Sequence, residues 1–168
     1  MKHSLPRREV LAGALALTLL AAGPAGAADL PAPTGDIILT VGNAGEAPVA
    51  FDRAMLEALP QVTVVTSTDW TDGVQTFTGP LARDVLAAAG AAGETVDAGA
   101  LNDYHVSFPA SDFDDWDVIL ALTMNGQALS VRDKGPLWIV YPRDEYPALQ
   151  QPEVNSRWVW QLQSLTLQ

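Results

Sequence analysis

The stretch that decides the fold runs Ala121-Leu122-Thr123-Met124-Asn125-Gly126-Gln127-Ala128-Leu129, followed by Lys134-Gly135-Pro136-Leu137-Trp138-Ile139-Val140-Tyr141-Pro142. Asn-Gly between two strand-forming runs is the strongest short-range signal for a hairpin turn, because both residues accept the positive φ that this turn requires. The sequence therefore predicts a hairpin with strands over Asp117 to Thr123 and Ala128 to Val131. Leu137 to Tyr141 is predicted as a further short apolar strand that ends at Pro142.

Working outward from this hairpin, alternating or β-branched runs and helix-capping residues predict the remaining elements. The predicted strands are Ile37 to Val41, Val62 to Thr68, Leu101 to Phe108 and the closing run Trp158 to Leu167. The predicted helices are Arg53 to Leu59 after the capping residue Asp52, and Leu81 to Ala89, opened by Gly79-Pro80 and ended by Gly90. The Ala/Gly tract from Ala87 to Gly99 is interpreted as a loop. About seven strands and two or three short helices without strict alternation favour an α+β fold with mixed, largely antiparallel sheets.

The N-terminus has the order of parts of a secretory signal peptide. Basic residues that include Arg7-Arg8 precede an apolar run of 13 residues from Val10 to Ala22, and Ala25-Gly26-Ala27 supplies small residues for cleavage. That run is shorter than the roughly 20 residues that span a bilayer. The sequence therefore predicts a twin-arginine-like signal peptide over residues 1–27, a loose lead-in over 28–35 and one domain over 36–168. The predicted location is the periplasm, without stable membrane insertion.

Charge and the lack of cysteine exclude several functions. The whole chain has a formal charge of −11, and residues 1–27 hold three basic residues and one acidic residue, so the predicted mature protein carries −13. Such a charge argues against binding nucleic acid. With no cysteine in the chain, thiolate metal ligation and cysteine nucleophiles are also excluded.

Few residues carry a signal for chemistry. His105 is the only histidine after residue 27, and a lone histidine is more often a satisfied polar residue than a metal ligand. Asp112, Asp114, Asp115 and Asp117 lack the spacing of a calcium loop and are interpreted as a solvated turn, with Asp112 as a helix cap. We therefore predict no catalytic residue and no metal ligand from residue patterns alone.

Aromatic residues gather in the closing strand. Trp158 and Trp160 are predicted on one face of that strand by its two-residue period. They can belong to the core, or form a groove with Trp70 and Tyr104 that takes a planar ligand or a partner's side chains.

Several segments, in this order, resemble the molybdopterin-binding domain of the sulfite oxidase family. Besides the opening stretch, they are Thr66-Ser67-Thr68-Asp69-Trp70, Phe77-Thr78-Gly79-Pro80-Leu81-Ala82-Arg83-Asp84-Val85-Leu86 and Arg157-Trp158-Val159-Trp160-Gln161-Leu162. The resemblance covers residues 36–168. It implies a mixed α+β fold and makes molybdopterin a possible cofactor.

The resemblance also implies a pocket. In catalytic members a cysteine holds the molybdenum, and Thr66 stands at that place, four residues before Trp70. A hydroxyl is a poor substitute for a soft thiolate ligand, so we expect no cofactor. The pocket candidates are Thr66, Trp70, Tyr104, His105, Arg143 and Arg157, the two arginines being able to balance an anion.

Two functions stay open. The preferred one is a periplasmic domain without catalytic molybdenum that senses an unidentified small ligand or binds a periplasmic protein. The alternative is a molybdopterin-dependent oxidoreductase that lacks the cysteine ligand. Sequence alone does not settle whether the protein is an enzyme.

Export predicts a shortened protein. Because cleavage follows the small residues Ala25 to Ala27, N-terminal sequencing of exported material should begin at Ala28 or one residue later. Exported protein that still begins at Met1 would contradict the signal peptide.

Overall fold

The structure is a computed structural model that describes residues 30–168. The predicted signal peptide lies outside the described residues. The strands are β1 Ile37–Asn43, β2 Val49–Asp52, β3 Gln61–Ser67, β4 Val74–Pro80, β5 Thr95–Ala100, β6 His105–Pro109, β7 Ile119–Ala121, β8 Thr123–Met124, β9 Gln127–Ala128, β10 Trp138–Val140 and β11 Leu162–Leu167. The α-helices are α1 Arg53–Ala58, α2 Ala82–Ala89, α3 Asp112–Asp115 and α4 Pro152–Asn155.

The larger sheet has five strands in the order β2-β1-β11-β5-β6. β11 pairs parallel with β1 and antiparallel with β5, and the other pairs are antiparallel. The strand nearest the C-terminus therefore occupies the centre of this sheet. Its Leu165 lies beside Val41 of β1 on one side and Ala98 of β5 on the other, and all three side chains are buried.

A second sheet has four strands in the order β3-β4-β8-β9. Asn125 and Gly126 have φ values of 52° and 75° and join β8 to β9, so the predicted hairpin turn is confirmed. β7 and β10 form a separate antiparallel pair. β7 passes so close to β4 that a Cβ on Gly79 would lie 2.0 Å from the Leu120 carbonyl oxygen. Only glycine allows this approach.

The fold class and several elements agree with the sequence. Mixed α+β architecture with largely antiparallel sheets is confirmed. α2 ends at Gly90, whose φ of 67° is left-handed and whose N–H donates to the carbonyls of Leu86 and Ala87. Its buried Val85, Leu86 and Ala89 join the core. The described residues contain four α-helices rather than the predicted two or three. Two of the four, α3 and α4, have only four residues each.

The interpretation of the Ala/Gly tract as a loop was wrong over Thr95 to Gly99. β5 lies there, between β11 and β6, and Val96 and Ala98 are fully buried. Small residues are required because neighbouring side chains cross this strand: a Cβ on Gly99 would lie 2.5 Å from Ser164 Oγ and 2.7 Å from His105 Cε1. Tertiary packing has outweighed the weak strand propensity of alanine and glycine.

Other strand boundaries also differ from the prediction. The closing strand begins at Leu162, because Gln161 has a positive φ of 54°. Trp158 and Trp160 therefore precede the strand and share no strand face. β6 begins at His105, after a turn over residues 101–104. Gly79-Pro80 ends β4 and does not open the helix. The seven predicted strands become eleven because β2, β4 and β5 were not predicted and the predicted strand Asp117 to Thr123 is divided between β7 and β8.

Asp52 fastens the start of the described chain. Its buried carboxylate accepts hydrogen bonds from the N–H groups of Met55 at 2.9 Å, Gly35 at 2.8 Å and Thr34 at 2.7 Å. The first bond caps α1 as predicted. The other two hold the end of the lead-in. These hydrogen bonds, that from Met55 foremost, lower the pKa of Asp52 to about 2.

The lowered pKa of Asp52 predicts a specific loss of stability in acid. An unfolded aspartate titrates near pH ~3.9, so this carboxylate's contribution is complete above that pH and is lost as pH falls towards about 2. The Asp52→Asn variant should melt at a lower temperature at pH 7, and its melting temperature should depend less on pH between those two values. Asp36→Asn, which changes an exposed carboxylate, is the control. Parallel melting curves for the parent and Asp52→Asn would contradict this role.

Candidate functional site

Thr66 lies at the end of β3 and is fully buried. Its hydroxyl donates to the Ser67 carbonyl at 3.3 Å and accepts from the Asp144 N–H at 3.1 Å. The Asp144 carboxylate in turn accepts from the N–H and the hydroxyl of Ser67, each at 2.6 Å. We call Thr66, Ser67 and Asp144 the Thr66 clasp. It joins the end of β3 to the segment after β10, and it occupies both hydrogen-bonding functions of the threonine.

The two candidate arginines are neutralised by carboxylates. Arg143 contacts Asp69 at 3.1 Å and donates to Ser67 Oγ at 3.4 Å. Arg157 donates to Asp112 at 2.6 Å. Neither side chain lines the aromatic cavity described below.

The interpretation of the acidic cluster as a solvated turn is wrong for Asp112, whereas Asp114, Asp115 and Asp117 are exposed. Asp112 is the first residue of α3, only 7% exposed, and the helix cap is Ser111. Besides Arg157, its Oδ2 binds the Tyr141 hydroxyl at 2.9 Å. Burial, and then the Asp112 charge, raise the pKa of Tyr141 well above its usual value. The Asp112–Arg157 pair therefore belongs to the structural core of this region.

His105 lies apart from the other candidates. Its Nδ1 is 2.9 Å from Asp97 Oδ1, and Ser107 Oγ donates to Asp97 Oδ2 at 3.1 Å. These residues lie on β5 and β6, and the histidine side chain is 53% exposed. His105 does not line the aromatic cavity. Its arrangement is that of a polar residue satisfied on a sheet face.

An aromatic cavity of about 210 Å³ lies between Trp70, the turn before β6 and the segment between α4 and β11. It is lined by Trp70, Ala100, Asn102, Tyr104, Asn155, Ser156, Trp158, Val159 and Trp160. We call it the Trp70 cavity.

Contacts among the lining residues hold the walls of the Trp70 cavity. The Trp70 ring lies 6.1 Å from that of Trp158 and 5.4 Å from that of Trp160, between centroids. The Tyr104 hydroxyl donates to the Ser156 carbonyl at 3.0 Å, which links the two chain segments that border the opening. Asn155 hydrogen-bonds to Asp69, the neighbour of Trp70.

Of the six candidate residues, the Trp70 cavity brings together Trp70 and Tyr104. Thr66, His105, Arg143 and Arg157 lie outside its lining. The aromatic groove suggested by Trp70, Tyr104, Trp158 and Trp160 corresponds to this cavity. Its polar members Asn102, Asn155 and Ser156 were not among the candidates. Pro152 is the first residue of α4, and proline is favoured at that position of a helix. It is the local signal that could have predicted a helix start close to Asn155 and Ser156.

The comparisons with known proteins give the family. The profile of the oxidoreductase molybdopterin binding domain matches residues 28–146. The chain belongs to this family. No curated protein matches the chain in sequence. Among solved structures, the sulfane dehydrogenase SoxCD from Paracoccus pantotrophus shares the fold, with a TM-score of 0.58 and 23% identity over 76% of this chain. The match covers only 37% of the SoxCD chain.

The residues at the family's metal position do not fit molybdenum. Thr66 offers a hydroxyl in place of a soft thiolate, and that hydroxyl is buried and already hydrogen-bonded within the Thr66 clasp. Arg143 and Arg157 are each ion-paired with a carboxylate, Asp69 and Asp112. Within residues 30–168, no group of three or more His, Cys, Asp or Glu side chains is placed to hold a metal ion. Thr66, which the resemblance places at the family's metal position, therefore has a structural role.

That structural role predicts the effect of removing the Thr66 hydroxyl. Thr66→Val leaves the Asp144 N–H without its acceptor, so the free energy of unfolding should fall by about 0.5–1.5 kcal/mol, the net contribution of one hydrogen bond. Thr63→Val is the matched control, since Thr63 lies on the same strand but is exposed. It should change the free energy of unfolding by less than about 0.5 kcal/mol. Equal effects in urea denaturation would contradict the Thr66 clasp.

Proposed function

We propose that this chain is an exported, periplasmic member of the molybdopterin-binding domain family that binds a small organic ligand in the Trp70 cavity and performs no molybdenum chemistry. The buried Thr66 hydroxyl carries the proposal, because a metal centre at this position needs both an open site and a soft ligand. Fold alone does not determine chemistry. The same scaffold can therefore keep its architecture after the metal ligand is gone.

The Trp70 cavity supports ligand binding as the remaining function. Small-molecule sites are concave and mostly apolar, with a few polar groups that fix orientation. Three indoles and one phenol form the apolar part here, and Asn102, Asn155 and Ser156 supply the polar groups. In a sensing role, a periplasmic protein partner binds the ligand-bound form of the domain.

The location of the domain is part of the proposal. The predicted signal peptide supports export to the periplasm. None of the helices in the described part of the chain has the length and hydropathy that crossing a membrane requires.

One observation favours the alternative, an oxidoreductase without the cysteine. Arg7-Arg8 is typical of the twin-arginine route, which exports folded proteins of this family with their cofactor in place. A fast-folding domain without cofactor can use the same route, so this signal does not outweigh the chemistry at Thr66.

Metal content separates the two functions. The full chain is expressed in a bacterium that makes molybdopterin, recovered from its periplasm and analysed for molybdenum by mass spectrometry. We expect a molybdenum content far below one atom per protein, because Thr66 offers no thiolate. Stoichiometric molybdenum would refute the proposed function and support the oxidoreductase.

Ligand binding is tested with four small probes: choline, 3,3-dimethylbutan-1-ol, phenol and acetate. Three of the five tryptophans line the Trp70 cavity, so a bound probe should change the intrinsic tryptophan fluorescence in a saturable way. If none of the four probes gave saturable binding, the proposal of a ligand site would fail.

A further inference from the structure

The charge around the Trp70 cavity is negative. No charged side chain lines it. Asp69 and Asp103 adjoin lining residues in the chain, and Glu153 lies two positions before the lining residue Asn155. Asp69 is paired with Arg143, whereas Asp103 and Glu153 form no ion pair within residues 30–168. Arg157, the one basic neighbour of the lining, is paired with Asp112. The unpaired carboxylates Asp103 and Glu153, in a chain with a formal charge of −11, favour a cation over an anion at this opening.

The walls of the cavity also suit a cation. The face of an aromatic ring carries a negative quadrupole, and a cation within about 6 Å of the ring centroid is attracted to it. Trp70, Tyr104, Trp158 and Trp160 all contribute aromatic rings to the lining of this cavity. Trp158 packs in turn against Trp138 and Tyr141, with centroid distances of 6.2 Å and 6.0 Å. These contacts fix the indole wall before any ligand arrives, which reduces the entropy lost on binding.

The hydrogen-bonding groups of the cavity lining favour a cation without N–H groups over one that has them. An ammonium with N–H groups needs several acceptors when it leaves water. Two acceptors are already engaged, since the Asn102 side-chain oxygen accepts from the Tyr104 N–H at 3.2 Å and the Ser156 carbonyl accepts from the Tyr104 hydroxyl. The Asn155 side-chain oxygen and the Ser156 hydroxyl are left as acceptors in the lining. A quaternary ammonium has no N–H group and needs no acceptor. With a volume of about 210 Å³, the cavity is larger than one of roughly 150 Å³ that binds benzene in another protein, so a trimethylammonium group has room.

We propose that the Trp70 cavity binds an organic cation with a quaternary ammonium head group, held by cation–π contacts with Trp70, Tyr104, Trp158 and Trp160. This inference names the ligand class of the proposed function and rests on it. The lining contains no basic side chain that could bind an anion. A neutral planar molecule gains no attraction from the nearby carboxylates.

Two probes of matched shape test the charge. Choline carries a trimethylammonium group, and 3,3-dimethylbutan-1-ol replaces its nitrogen with carbon and is neutral. In titrations of the exported protein followed by tryptophan fluorescence, choline should bind at least about tenfold more tightly, since several rings contribute to the cation–π attraction. Equal affinities would overturn the cation inference and leave a neutral ligand site in place. If neither these two probes nor phenol nor acetate binds, the proposed function itself fails.

Substitutions at two exposed tyrosines locate the binding site. Tyr104 in the cavity and Tyr146 outside it are 44% and 39% exposed, so both can be replaced without opening the core. Tyr104→Ala should weaken choline binding by about three- to tenfold, the loss of one cation–π contact. Tyr146→Ala should leave it unchanged. Tyr104→Phe keeps the ring and should retain most of the preference for choline over its neutral analogue. Unchanged choline affinity in Tyr104→Ala would overturn the assignment to this cavity.

Discussion

The packing of Trp138 is the interaction on which the rest of the structure depends. This fully buried indole, on β10, contacts Phe77 of β4 edge-on at 5.3 Å and lies 6.2 Å and 6.5 Å from Trp158 and Trp160, between centroids. It thereby joins the β7–β10 pair, the four-stranded sheet and the wall of the Trp70 cavity. Aromatic pairs of this geometry stabilise beyond the area they bury. The Trp138 Nε1–H has no hydrogen-bond partner within residues 30–168, so dense packing here comes with an unsatisfied donor.

Features coded by neighbouring residues could be predicted from the sequence. The Asp52 cap, the end of α2 at Gly90 and the Asn125-Gly126 turn each depend on residues within a few positions of one another. β5 could not be predicted in this way, because its Ala98 and Gly99 are strand residues only through their neighbours on β11 and β6. Local composition there indicated a loop, and distant contacts decided otherwise.

The residues of the candidate site also divide into those that the sequence indicated and those whose contacts depend on the fold. Trp70 and Tyr104 were predicted as pocket residues, and both line the Trp70 cavity although 34 positions separate them in the chain. The pairing of Arg143 with Asp69 and of Arg157 with Asp112 depends on the fold, and no local pattern indicates it. Nor did the sequence indicate that the hydroxyl at the family's cysteine position would bind Asp144. The resemblance predicts that position, and the structure shows the hydrogen bonds that the Thr66 hydroxyl forms.

The central place of β11 has a consequence for the order of events during synthesis. Thr40 pairs with Ser164 and Asn43 with Leu167, so the middle of the larger sheet joins regions made near opposite ends of the chain. While residues 162–167 are still inside the ribosome, β1 and β5 lack their common neighbour and their facing edges stay open. Contacts this distant in sequence slow folding, and open strand edges invite wrong pairing. The five-stranded sheet can therefore be completed only after β11 has emerged.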